Sequence, residues 1–218
     1  MKNRFIWIFL IALISLGVFI FIPKENTKGI DEIVNIKPEK VYPDKIMAVY
    51  LTSWSASDSS RIDYVIDLSK KTEINAVVID VKDWSGRIPY DTNVSLVNEY
   101  GAERVIIKDM KGVVDQLHKE GIYVIARVTV FQDPVLAAKR SDLAVKSLDG
   151  GIWYDYNGLA WIDPNKKEGW DYNIAIAKDA INQGFDEINF DYIRFPSDGD
   201  LNNMDIDSSI ERVIIQSF

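Results

Sequence analysis

The chain has 218 residues, with 25 Lys+Arg against 33 Asp+Glu, one His and no Cys. Without thiols there is no disulfide framework, cysteine nucleophile, thiolate zinc site or iron–sulfur centre, so any chemistry runs on carboxylates, amines, hydroxyls or a single imidazole. A net charge of −8, with no Lys/Arg cluster along the chain, also argues against a nucleic-acid partner, since phosphate binding needs a concentrated basic surface.

Lys2 and Arg4 lie in a short basic start, residues 1–4, and are followed by an apolar run over 5–22 in which only Ser15 and Gly17 are not apolar. At ~1.5 Å per residue this run makes a helix of ~27 Å, close to the thickness of a bilayer's hydrocarbon core. It reads as a cleaved signal peptide or an uncleaved membrane anchor. Its length and the lack of a small-x-small cleavage site favour the anchor, a single pass with residues 1–4 cytoplasmic and the rest extracytoplasmic. Residues 23–44 are polar and hold Pro23, Pro38 and Pro43, the composition of an extended tether. The folded part is expected from residue 45.

From there, short apolar runs alternate with amphipathic stretches. Residues 46–51, 76–81, 122–130 and 187–193 are rich in Val, Ile and Tyr and read as four strands buried on both faces. Between them, Ile62, Val65 and Ile66 follow a cap at Asp58, Met110, Val113, Val114 and Leu117 follow Asp109, and Ile174, Ala177 and Ile181 follow Trp170 at helical spacing. Gly121 and Gly184 precede the next strands, where a left-handed residue closes a helix. Repeated βα units imply a parallel sheet, either a (β/α) barrel or an open doubly wound sheet. Thr52 and Ser53 stand where the open sheet would carry its glycine-rich turn, and no dinucleotide or Walker signature exists. Polar residues collect at strand C-terminal ends, the active face of a barrel.

The expected fold is therefore α/β, a partial (β/α)8 TIM-type barrel of about four βα units over 45–218, preceded by the transmembrane helix. A whole barrel needs about 250 residues. Residues 208–218 open like a helix and stop without a Gly or a polar tail, so the C-terminal half of the barrel is expected to be missing. Two open sheet edges then invite self-association.

Three strings stand in order: Val78-Ile79-Asp80-Val81-Lys82-Asp83-Trp84-Ser85-Gly86, Ile125-Ala126-Arg127-Val128-Thr129-Val130-Phe131-Gln132-Asp133-Pro134, and Gly184-Phe185-Asp186-Glu187-Ile188-Asn189-Phe190-Asp191-Tyr192-Ile193-Arg194-Phe195-Pro196. Together they resemble the bacterial glycoside-hydrolase domain family known as domain of unknown function 4015. The resemblance implies a TIM-type barrel related to glycosidases such as the α-amylase group, in an anchored, extracytoplasmic setting. It also implies that an Asp ending the fourth strand, here Asp191, is the nucleophile.

Glycosidases generally need two carboxyl groups facing across a sugar. Alternation puts Asn189 and Asp191 on one face of the fourth strand, with Asp191 at its rim, and puts Asp80 and Lys82 on one face of the second. Asp191 and Asp80 are the candidate catalytic carboxylates. Either can instead be a structural partner of Arg127, which stands in an apolar strand and must have a counter-charge, and Asp191 can pair with Arg194. Lys82, Asp83, Arg127 and Arg194 are candidate substrate contacts, and Asp133 before Pro134 reads as a helix cap. Trp153, Tyr154, Tyr156 and Trp161 crowd the connection between strands three and four. Rings there stack on sugars or fill the core, and Trp153, Tyr154 and Trp161 are taken as substrate-binding candidates. His118 lies on a helix flank, which gives a Ser-His-Asp hydrolase little support.

The leading reading is an extracytoplasmic carbohydrate-active hydrolase with a carbohydrate substrate, a membrane anchor, no nucleic-acid partner and no cofactor or metal. A non-catalytic glycan-binding envelope protein is the alternative. A carboxylate-bound divalent-metal hydrolase using Asp80, Asp83 and Asp191 ranks third.

Overall fold

The computed structural model describes residues 43–206. The anchor expected over 5–22, most of the tether and the helix expected over 208–218 lie outside the described residues. Among the described residues no helix is long and apolar enough to cross a membrane.

Four parallel strands form one sheet: β1 (Ala48–Leu51), β2 (Ala76–Lys82), β3 (Tyr123–Thr129) and β5 (Glu187–Asp191), in the order β1-β2-β3-β5. The crossovers carry α1 (Ser53–Ala56) and α2 (Ser59–Lys71), then α3 (Ser95–Tyr100) and α4 (Met110–Lys119), then α5 (Pro134–Lys139) and α6 (Lys167–Asn182). Side-chain caps start the helices where the sequence places them: Asp58 accepts from the Ser60 amide, Asp109 from Gly112 and Asp133 from Leu136. Each cap satisfies an amide that the helix leaves orphaned. Gly121 and Gly184 adopt φ of +74° and +106° between helix and strand.

The two faces of the sheet differ. Ile62 and Val65 of α2, Val114 and Leu117 of α4, and Ile176 and Ala180 of α6 share a single buried cluster with Val77, Ile79, Val81, Val124, Ala126 and Val128. Among the described residues the opposite face holds a small cluster of Ala76, Tyr123 and Ile125 with Val78 against it. A doubly wound sheet covers both faces with helices and reverses its strand order at a switch point. Here the order runs steadily in one direction and helices cover one face, which is the barrel arrangement. Not every strand is buried on both faces as expected. β2 and β3 are, whereas β1 and β5 are edges that leave Tyr50, Glu187 and Asn189 exposed.

The β3–β5 connection is a small antiparallel excursion. Single bridges join Gln132 to Trp161, Ala144 to Ile162 and Tyr154 to Ala160, and β4 (Lys146–Ser147) pairs with β6 (Met204–Asp205), which follows β5. The excursion lies past the strand C-termini, where it forms one wall of the site.

A candidate active site at the strand ends

β2, β3 and β5 bring Asp80, Arg127 and Asp191 together on the face opposite the helices. Asp80 is in register with Arg127, and Asp191 with Thr129. Arg127 Nη1 donates to Asp80 Oδ1 at 2.7 Å and Nε donates to Asp191 Oδ2 at 2.8 Å, with Nη2 in ion-pair contact with the same Asp191 oxygen at 2.7 Å. The guanidinium in the apolar strand therefore has two counter-charges. Burial alone would lower its pKa, but the two carboxylates outweigh burial and hold it above its usual value.

The two carboxylates are not equivalent. The Asp80 side chain is 3% exposed and that of Asp191 44%. Burial raises the Asp80 carboxyl above its ordinary range, against the hydrogen bonds from Tyr50 and Arg127, which lower it. Tyr50 Oη donates to Asp80 Oδ2 at 2.5 Å; burial and this bond push the phenol's own pKa up, so it stays a donor. On the other side, the Tyr192 amide donates to Asp191 Oδ1 at 2.7 Å. Tyr192 has φ +56°, a conformation that L-residues rarely adopt and that functional sites concentrate. The turn carries its ring back over the Arg127 guanidinium, 6.0 Å from the ring centre, and to 5.7 Å from Trp161.

Arg127 opens into a cleft of about 460 Å³ lined by Tyr50, Trp84, Gln132, Asn157, Leu159 and Tyr192. Gln132 Nε2 donates to the Trp84 carbonyl at 3.1 Å and ties the β2 loop to the β3 loop. Trp84 is 55% exposed, so its indole offers an open stacking face.

The other candidate residues separate. A β-bulge between Asp80 and Lys82 breaks the alternation that would hold them on one face. Lys82 turns to the helix side, fully enclosed, with Nζ 2.6 Å from Asp133 Oδ2, 2.8 Å from Asn173 Oδ1 and 3.2 Å from the Val130 carbonyl. Burial lowers its pKa, and Asp133 opposes that shift. Asp133 thus caps α5 and neutralises Lys82. Gly86 packs beside Asp133 so closely that a Cβ there would stand 2.2 Å from its Oδ1.

Asp83 folds back on its own loop and accepts from the Ser85 amide and hydroxyl and from the Arg87 amide. Among the described residues no group of three or more His, Asp or Glu is placed to hold a metal. Arg194 lies 5.2 Å from both the Trp161 and Tyr192 ring centres and donates to Ser197 and the Phe195 carbonyl. Trp153 and Trp161 are core residues, 2% and 1% exposed, with their indole N–H groups on the Asp200 carbonyl and the Asp155 carboxylate. Tyr154 is half exposed. His118 pairs with Asp186 at 2.8 Å, at the entry to β5 rather than at the strand C-termini. Tyr50, Gln132 and Tyr192 escaped the sequence reading. Tyr50 had a signal, since the alternation that places Asp80 inward on β2 also places Tyr50 inward on β1.

A family model described as "Putative glycosyl hydrolase domain" matches residues 48–217. The crystal structure of a hypothetical protein from Ruminiclostridium thermocellum is similar at 42% identity and TM-score 0.73, over 78% of this chain and 87% of that one. Two enzymes share the fold at low identity. A GH31 α-xylosidase from a soil metagenome, complexed with xylose, has 16% identity and TM-score 0.50 over 77% of this chain and 25% of its own. The chitobiase of Flavobacterium johnsoniae has 10% identity and TM-score 0.50 over 67% of this chain and 23% of its own. No curated protein has a matching sequence. The parallel sheet with one helix-covered face is the fold of these glycosidase barrels, and the chain belongs to the glycosyl hydrolase domain family known as domain of unknown function 4015.

Proposed function

We propose that the protein is a glycoside hydrolase whose candidate catalytic carboxylates are Asp191 and Asp80, acting on a polysaccharide or cell-envelope glycan outside the membrane that residues 5–22 anchor it to. One observation carries the reading: two carboxylates of unequal exposure, joined by Arg127 at the ends of neighbouring parallel strands, beside a cleft walled by tyrosines and a tryptophan. Asp191, half exposed and opposite a guanidinium, supplies the negative charge that an oxocarbenium-like centre needs. Asp80 is enclosed and has a raised proton affinity. It holds Arg127 and Tyr50 in place and retains a proton more readily than a surface Asp. Tyr50, Trp84 and Tyr192 are suited to sugar stacking and hydroxyl bonding.

The same geometry favours one competitor. Arg127 engages both carboxylates, as it would in a glycan-binding protein without turnover. A panel of polysaccharides with and without EDTA separates the readings. Metal-independent release of reducing ends supports the hydrolase, binding without release supports the competitor, and activity lost in EDTA points to metal chemistry.

A further inference from the structure

A second cleft, about 570 Å³, is lined by Ser85, Arg87, Tyr100, Arg104, Val135 and Lys139 among others. Its walls contain three cationic side chains and no carboxylate, in a chain of net charge −8. Sequence separation hides this group, because the β2 loop, the segment after α3 and the end of α5 each supply one member. Arg87 Nη1 donates to the Gly101 carbonyl at 2.5 Å, and Arg104 stacks on Trp54 at 5.2 Å from the ring centre. Stacking engages the guanidinium's face and leaves its in-plane N–H groups free to donate.

Among the described residues none of the three cations has a carboxylate at ion-pair distance, and several carboxylates close to the cleft walls in the chain are engaged elsewhere. Asp83 binds its own loop, Asp133 binds Lys82, and Asp142 binds Arg140 at 2.7 Å. Like charges gathered in a concave wall raise the local potential and favour an anion there. The two clefts share the β2 loop, with Trp84 facing the first and Ser85 the second. Consecutive Cα atoms are about 3.8 Å apart, so this loop sets the cationic cleft beside the exposed Trp84 in the chain.

We infer that this second cleft binds an anionic substituent of the glycan, a carboxylate or a phosphate, and that the substrate is a negatively charged polysaccharide. The inference rests on the glycosidase reading and narrows it to a substrate class. Guanidinium groups pair with carboxylate and phosphate oxygens in bidentate fashion, whereas a neutral sugar needs no cations.

The test is equilibrium binding and reducing-end release by the whole protein, using polygalacturonate, a phosphorylated mannan, neutral dextran and single-stranded poly(A). At least one of the first two polymers should bind at least ~10-fold tighter than dextran and weaken with salt. Which of the two binds identifies the anion as carboxylate or phosphate. The double variant R104Q/K139Q, with an unchanged melting curve, should lose that preference and keep its dextran affinity. Unchanged anionic binding by R104Q/K139Q overturns the inference. So does dextran binding as tight as that of both glycan polyanions, or poly(A) binding with the same variant dependence. If the anionic glycan binds through these residues but no glycan is cleaved, the hydrolase reading fails and the anion cleft stands.

Discussion

Arg127 sits between two carboxylates whose exposures, 3% for Asp80 and 44% for Asp191, predict opposite mutational signatures. Asp191→Asn should cut turnover by at least ~100-fold while the melting temperature stays within a few degrees, because Asp80 still neutralises Arg127. Asp80→Asn leaves Arg127 its Asp191 partner but puts an NH2 where the enclosed side chain accepts from Arg127 or Tyr50, and should cost about 1 to 3 kcal/mol, the range for a buried polar group deprived of its partner. Chemical denaturation beside initial rates distinguishes them, and near-normal turnover of Asp191→Asn refutes its catalytic role. The raised Asp80 pKa also carries a pH signature. Its folded value lies above the ordinary 3.8, so between those values the folded state binds more protons than the unfolded one. Asp80's contribution is therefore fully present below pH 3.8 and lost as pH rises through the folded value. Melting the natural protein and Asp80→Asn in parallel from pH 7 down to 4 should show the difference moving in favour of the natural protein. Movement the other way shows that the carboxyl is not held high.

At the scale of elements, the β2 bulge matters most. It turns Lys82 away from Asp80 and locks the end of β2 to α5 and α6 through Asp133 and Asn173. Lys82→Met should destabilise by about 3 to 5 kcal/mol, since it strands the Asp133 charge in the core, while Asn in place of Asp133 in that background should recover part of the loss by removing the charge and keeping a cap. A Lys82→Met variant of unaltered stability rules out this lock. The N-cap of α4 is simpler. Asp109→Ala removes the bond to the Gly112 amide and should cost about 1 kcal/mol by urea titration.

At the scale of the molecule, β1 and β5 are the ends of the four-stranded sheet, and among the described residues the face opposite the helices carries a small apolar cluster. Sheet edges with unpaired backbone groups promote association. Residues 45–218, produced alone, should therefore associate, as read by light scattering, unless further strands complete the sheet. A monomer with one cooperative unfolding transition overturns this. Deleting residues 5–22 should likewise release the protein from membranes into the soluble fraction. A mature N-terminus already trimmed past Ile22 refutes the anchor.

Local chemistry carried by neighbouring residues was legible in the sequence. Strand periodicity, the caps at Asp58, Asp109 and Asp133, the glycine stops and the need of Arg127 for a counter-charge all follow from backbone hydrogen bonding and from the cost of an unpaired guanidinium in an apolar strand. The candidate carboxylates were legible too, since parallel strands deliver their C-terminal residues to one rim. Other assignments depended on contacts between residues far apart in the chain. A single bulge reversed Lys82, core packing claimed Trp153 and Trp161, and the unusual turn at Tyr192 brought its ring over Arg127. Arg87, Arg104 and Lys139 met in one cleft only through the packing of three separate segments. Periodicity describes one strand or helix at a time, whereas burial, ion pairing and cleft walls depend on what the rest of the fold places opposite each side chain, and that was decided by tertiary structure alone.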